Sequence, residues 1–251
     1  MKRDALASTE VNISEFDGVR YLHLGTEWVQ GSMRINAPFD IDLEYVQRMM
    51  AWLLFVPAAS VAGRHAMQLG LGAGAITKFS YKKLRMTCTA VEINPRVADV
   101  CQAWLRLPPE DERLRVVIAD AAREIQDPQW LGTVDALSVD LYDDEAAAPV
   151  LDSVDFYADC RRLLTDEGCM TVNLFGRTAS YDRSLAHIVE AFGERAVWTF
   201  KPTREGNTVV LAQRTPERPK RAALEAQADV IEARWSLPAR KWLKVFKALE
   251  K

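Results

Sequence analysis

Between His65 and Phe192, short apolar runs alternate with stretches whose apolar residues recur every three to four positions. The runs AMQLGL, TCTAVEI, LRVVIAD, VDALSVDLY and CMTVNLF read as buried strands, and the periodic stretches 75–84, 95–106, 121–126, 154–164 and 181–192 predict helices between them. That βαβ rhythm implies a parallel sheet covered on both faces. Two further strands, RAVWTFK and NTVVLAQR, are separated only by PTREG, which is short enough to predict an antiparallel hairpin.

The flanks follow other patterns. From Val11 to Ile35, β-formers alternate with polar residues around Asp17-Gly18, which predicts a small antiparallel ribbon. LEYVQRMMAWLLF (43–55) predicts a helix leading into the main sheet. The most apolar window, Met49 to Ala62, is too short to span a bilayer and contains Pro57, so it predicts a buried helix running into a loop. In the tail, Leu224, Ala228, Ile231 and Trp235 recur at helical spacing. Trp242, Val245, Phe246 and Leu249 do so again after a Ser236/Pro238 start signal, so two docked amphipathic helices are expected. The expected organisation is an N-terminal β-ribbon (1–42), a Rossmann-like α/β domain (43–214) and a basic helical tail (215–251). A parallel sheet ending in an antiparallel hairpin is the layout of AdoMet-dependent transferases.

Composition narrows the class. With 49% hydrophobic and 27% charged residues, the chain is an ordinary globular one. Its four cysteines, Cys88, Cys101, Cys160 and Cys169, form no CxxC pair and there are only three histidines, so we expect reduced buried thiols and no metal site. MKRDALASTEVNISEF has no apolar stretch behind its basic residues, which argues against a secretion signal and for a cytoplasmic protein. The net charge is −3, yet Thr215 to Lys251 holds nine Lys/Arg against five Asp/Glu, leaving −7 for the rest. A basic tail on an acidic body with no nucleic-acid motif predicts no nucleic-acid partner, and no segment predicts a membrane one.

Ligands of such sheets sit outside the carboxyl ends of the strands, where the strand order reverses. Gly70, Gly72 and Gly74 in LGLGAGA close the first strand of the sheet and would let a ligand approach backbone N–H groups at a helix N-terminus. Gly70-x-Gly72-x-x-Ala75 equally fits a dinucleotide site. Glu92 ends the next strand 22 residues after Gly70, where an acid can accept from both hydroxyls of a ribose. Asn94 and Pro95 read as helix cap and first helical residue. Asp120 fits two roles, acceptor for an adenine amino group or plain helix cap. VDLYDDEAAAP then puts Asp140, Tyr142, Asp143, Asp144 and Glu145 at the fourth strand's end, a negative rim suited to a cationic amine. Asp140 is best placed as general base towards an ammonium nucleophile.

These residues resemble the polyamine aminopropyltransferases, or spermidine synthases, and particularly their bacterial spermidine-synthase-like branch. The resemblance covers roughly residues 11–213. It rests on GVRYLHLGTEWVQGSM, LEYVQRMMAWLLF, LGLGAGA, VEINPRV, LRVVIADA, VDLYDDE and FYADCRRLLTDEGCMTVNLF, in order and spacing. It implies that Gln30 contacts the nucleoside substrate, Glu92 the ribose, Asp120 with Ala121 the adenine, and Asp140 the attacking amine. Tyr45 would be an active-site tyrosine, with Tyr142, Asp143 and Asp144 on the amine substrate. It also implies a homodimer, and decarboxylated AdoMet or AdoMet as co-substrate without a metal.

Three departures stand out. The family's GGGDGG loop carries an acid that holds the donor's amino group, and here that place is Ala73. Its Tyr-His-Glu is Tyr45-Val46-Gln47 here, and its Asp-Pro-x-Gly-Pro is DDEAAAP. The nucleoside end is kept and the transferred-group end is rewritten. Aminopropyl transfer to a di- or polyamine is the expected reaction. Methyl transfer from AdoMet and a non-catalytic nucleoside-binding module are the alternatives, while the hairpin and the acid cluster argue against a nicotinamide dehydrogenase.

Overall fold

The computed structural model describes residues 7–141, 151–175 and 179–249. It opens on a three-stranded antiparallel sheet of β1 (Val11–Phe16), β2 (Val19–Leu24) and β3 (Val29–Arg34). Asp17 and Gly18 join β1 to β2 with φ of 49° and 73°, the left-handed pair that lets a two-residue hairpin match the strands' twist. Leu22 and Met33 are buried in one cluster with Leu71, Ala73, Val97 and Cys101, so the small sheet is packed onto the glycine loop.

The large sheet comprises β4 (His65–Leu69), β5 (Thr87–Glu92), β6 (Leu114–Ile118), β7 (Val134–Val139), β8 (Leu164–Phe175), β9 (Val197–Phe200), β10 (Asn207–Gln213) and β11 (Phe246–Ala248). Its order is β11-β9-β10-β8-β7-β4-β5-β6. β4 to β8 run parallel, and β9 and β10 form the expected hairpin, with β10 antiparallel to β8. The fold is thus α/β, as the alternation of runs predicts. Successive residues of a strand enter opposite cores: Val209 and Leu211 of β10 join one, Val210 and Ala212 the other.

The helices are α1 (Glu44–Met49), α2 (Ala75–Lys82), α3 (Pro95–Trp104), α4 (Ala121–Glu124), α5 (Val154–Leu163), α6 (Ala179–Phe192), α7 (Arg221–Trp235) and α8 (Ala239–Trp242). Two expectations are corrected. The helix expected over 43–55 is α-helical only to Met49, where α1 tightens into 3-10 turns over Met50–Phe55, and the expected loop beyond it holds a second 3-10 segment, Ala58–Gly63. Pro57 holds Val56 extended at φ −122° and ψ 126°, and Gln227 Nε2 donates to the carbonyls of Leu53 and Val56, groups a continuous helix would have used internally.

The second tail helix stops at Trp242. Beyond it, Phe246 to Ala248 pair antiparallel with β9, so the apolar periodicity over 242–249 gives way to covering an open sheet edge. Leu224, Ala228, Ile231 and Trp235 are buried as their spacing predicts and share a core with α1 and the sheet. All four cysteines are free and buried. Among the described residues, no helix is long and apolar enough to cross a membrane.

Candidate active site

β4 lies beside β7, and the chain runs on from β4 to β5 on one side and from β7 to β8 on the other, so a crevice opens between their carboxyl ends. A cavity of about 660 Å³ occupies this place, with the β2–β3 ribbon and α1 among its walls. Of the residues expected at the site, Gln30, Tyr45, Gly70, Gly72, Glu92, Asp120, Ala121 and Asp140 all line it.

The glycines divide by geometry. Gly70 has φ 86°, and a Cβ there would lie 2.3 Å from the Asp140 carbonyl oxygen; Gly72 has φ 51°, and its Cβ would come within 3.2 Å of the Gln30 carbonyl. Both positions combine left-handed backbone with close approach, a combination that glycine tolerates. Gly74 does not line the cavity. It caps α2 at φ 67°, and a Cβ there would meet Leu107, Leu71 and Lys78, so it serves the turn rather than a ligand.

Glu92 lies at the end of β5 with only 9% of its surface exposed. Its Oε2 accepts from the Leu71 N–H and its Oε1 from the Asn94 N–H, each at 2.9 Å. Burial pushes the carboxyl above its ordinary value, and the backbone N–H groups act against that rise. The side chain therefore ties the glycine loop to the β5–α3 loop while also lining the cavity. Asn94 caps α3 through the Arg96 N–H and donates to the Thr9 carbonyl. Asp120 caps the four-residue α4 through the Ala122 N–H at 2.8 Å while also lining the cavity, so the two roles its position suggested do not exclude one another.

Asp140 follows β7. Its Oδ2 accepts from the Tyr45 hydroxyl at 3.2 Å, and its Oδ1 from Asn173 Nδ2 at 2.9 Å. Burial raises the pKa of this carboxyl, and the two hydrogen bonds oppose the rise. The Gln30 amide nitrogen is buried without a hydrogen-bond partner among the described residues, a donor for something the cavity takes up. Tyr142, Asp143 and Asp144 lie outside the described residues.

Sequence reasoning missed Asp42, Asn173, Glu205 and Asn207, all of which line the cavity. Asn173 was findable as an amide inside the apolar run CMTVNLF. The others sit on loops or at a strand start, where a polar residue is unremarkable.

The chain is 33% identical over 233 residues to the polyamine aminopropyltransferase of Chromobacterium violaceum, covering 92% of this chain and 87% of that one. The chain belongs to the polyamine aminopropyltransferase family. In fold, this aminopropyltransferase-family chain is similar to the crystal structure of a probable spermidine synthase from Corynebacterium glutamicum, with TM-score 0.75 and 16% identity over 94% of this chain and 91% of that one. It is also similar to human methyltransferase-like protein 13 in complex with SAH, with TM-score 0.69 and 22% identity over 78% and 93% of the two chains. No family model matches the chain.

Against the family pattern, Ala73 is 3% exposed and lies on β3: a Cβ on Gly31 would fall 2.7 Å from the Ala73 Cβ. Ala73 faces only a narrow cleft of about 20 Å³ shared with Gln30, Tyr45 and Asp140.

Proposed function

We propose that this transferase moves an aminopropyl group from decarboxylated AdoMet to a di- or polyamine. One observation carries the reading. Seven acidic residues, Glu27, Asp42, Glu44, Glu92, Asp120, Asp140 and Glu205, line the cavity, while no Lys, Arg or His lines it among the described residues. Such a wall favours cations. A sulfonium donor with an ammonium tail and a polyamine acceptor are both cations, whereas the carboxylate of AdoMet itself would meet like charge.

In this reading Glu92, Asp120 with Ala121, the Gly70–Gly72 backbone and Gln30 hold the nucleoside. The acceptor amine rests against Asp140, assisted by Tyr142, Asp143 and Asp144. The amine lone pair forms the new N–C bond as the C–S bond breaks, its electron pair passing to sulfur, which leaves as a neutral thioether. The surplus proton on nitrogen goes to Asp140. Alignment of nucleophile and sulfonium supplies much of the acceleration, and proton acceptance by Asp140 supplies more. The raised pKa of Asp140 suits a base that must take a proton from an ammonium.

Calorimetry with decarboxylated AdoMet and with AdoMet, followed by mass spectrometry of products from a panel of amines, tests this. Decarboxylated AdoMet should bind at least about fivefold more tightly, since an unpaired carboxylate among acids costs on the order of 1–3 kcal/mol, and aminopropylated amines should appear. Tighter AdoMet binding with methylated products would establish methyl transfer instead. Binding without product from any amine would establish a nucleoside-binding module.

A further inference from the structure

Asp140 is not oriented by its immediate partners alone. Asn173 Nδ2 donates to Asp140 Oδ1 at 2.9 Å, and Asn173 Oδ1 accepts in turn from Asn207 Nδ2 at 3.1 Å. Asn207 is the first residue of β10, opposite Phe175 in the β8–β10 register. A tight turn fixes it: its N–H reaches Thr203 Oγ1, its carbonyl accepts from the Thr203 N–H at 2.7 Å, and Gly206 takes φ 101° between them. A side-chain amide is a donor at one end and an acceptor at the other, and nothing in its shape chooses which end faces a neighbour. The Asp140 carboxylate, which only accepts, draws the NH₂ end of Asn173, and the donor from Asn207 on the other end fixes the same orientation.

We propose that Asn207 is a positioning residue that acts on the general base through Asn173, holding the amide so that its NH₂ group, never its carbonyl, faces the Asp140 carboxylate. This inference rests on the reading of Asp140 as the base. The remaining titratable groups around Asp140 leave the relay a clear role. Tyr45 from α1 donates to its other oxygen. Asp42, Glu44, Glu92, Asp120 and Glu205 share its cavity as further negative charge, with Asp42 and Glu44 balanced by Arg34 and Arg48. Burial favours the protonated form of Asp140, and the Asn173 and Tyr45 hydrogen bonds favour the ionised one.

The relay has a polarity that substitution can reverse. In Asn207→Asp the new carboxylate only accepts, so Asn173 must either turn its NH₂ away from Asp140 or leave two carboxylates competing for it. In Asn207→Ala only the Asp140 carboxylate is left to favour that orientation. We expect the acid limb of the kcat–pH profile to move up by about one pH unit in Asn207→Asp, the size of one hydrogen bond to a charged group, and by less in Asn207→Ala. The rate loss should be about tenfold below the limb and should fade as pH rises.

The same order should appear without turnover, in the ¹³C carboxyl titration of Asp140 followed by NMR. In an Asn173→Ala background, Asn207→Ala should no longer move that titration. A rate loss equal at all pH values, or an Asp140 titration unmoved by both Asn207 substitutions, overturns the relay, as does an equal shift in the Asn173→Ala background. Absence of aminopropylated product from the wild type would sink the functional reading alone, because the carboxyl titration still tests the relay.

Discussion

Replacing Glu92 by glutamine removes one charge and one acceptor at the point where two loops meet. In the native side chain each oxygen accepts a backbone N–H at 2.9 Å, from Leu71 in the glycine loop and from Asn94 before α3. A glutamine keeps one of these bonds and sets its NH₂ against the other N–H. The lost bond to a charged acceptor costs about 1.5–3 kcal/mol, with a further donor left unsatisfied. The burial that raises the Glu92 pKa means that the neutral amide recovers part of the desolvation, so a net loss of about 1–3 kcal/mol in stability is expected. For a chain of this size that lowers Tm by roughly 3–10 °C. The same loops hold the nucleoside in the proposed function, so affinity for decarboxylated AdoMet should fall by about 1–3 kcal/mol, or roughly 5- to 150-fold. Thermal melts and calorimetry on one preparation measure both. An unchanged Tm would refute the argument that Glu92 ties the loops together, and a lowered Tm with unchanged affinity would show that the ligand is held elsewhere.

Asp140→Asn preserves size and can still accept from Asn173 while Tyr45 turns to accept from the new amide, so the fold should survive and turnover should fall roughly 10²–10⁴-fold, the usual contribution of a general base. Near wild-type turnover at pH 7 would remove Asp140 from that role. Lys78 is buried, donates to the Leu105 carbonyl at 2.6 Å, and has its pKa lowered by burial from 10.5 to about 8. Between those values the unfolded chain holds a proton that the folded one does not, so stability rises with pH. Urea unfolding should show wild type gaining up to about 3 kcal/mol on Lys78→Met between pH 8 and 10.5, and a difference that stays constant with pH would contradict this.

The fold was legible where local pattern and tertiary contact agree. Strands β4, β5, β7 and β10 are buried on both faces and read as continuous apolar runs, while α3 carries its cap Asn94 and first-turn Pro95 in sequence. The pattern failed where a distant segment decided the outcome. Residues 242–249 are periodic enough for a helix, yet the open edge of β9 pairs with Phe246 to Ala248. Residues 50–55 are apolar enough for a helix, but the Leu53 carbonyl and that of Val56 just beyond accept from Gln227, more than 170 positions away.

The same division runs through the site. Gly70, Gly72, Glu92 and Asp120 each lie at the end of a strand or within three residues of it, so strand endings alone place them on one crevice. Asn173 and Asn207 belong to β8 and β10, which become neighbours only through the hairpin topology, and nothing in either local sequence announces the bond between them. Ala73 shows the converse. As a departure from the family's acid it reads as a gap in the site, yet it is packed on Gly31 with space behind it for little more than a water molecule. The small side chain at position 73 goes with the close seat of the ribbon on the glycine loop, and in the proposed function the donor's cationic end rests on acids of the cavity's other walls.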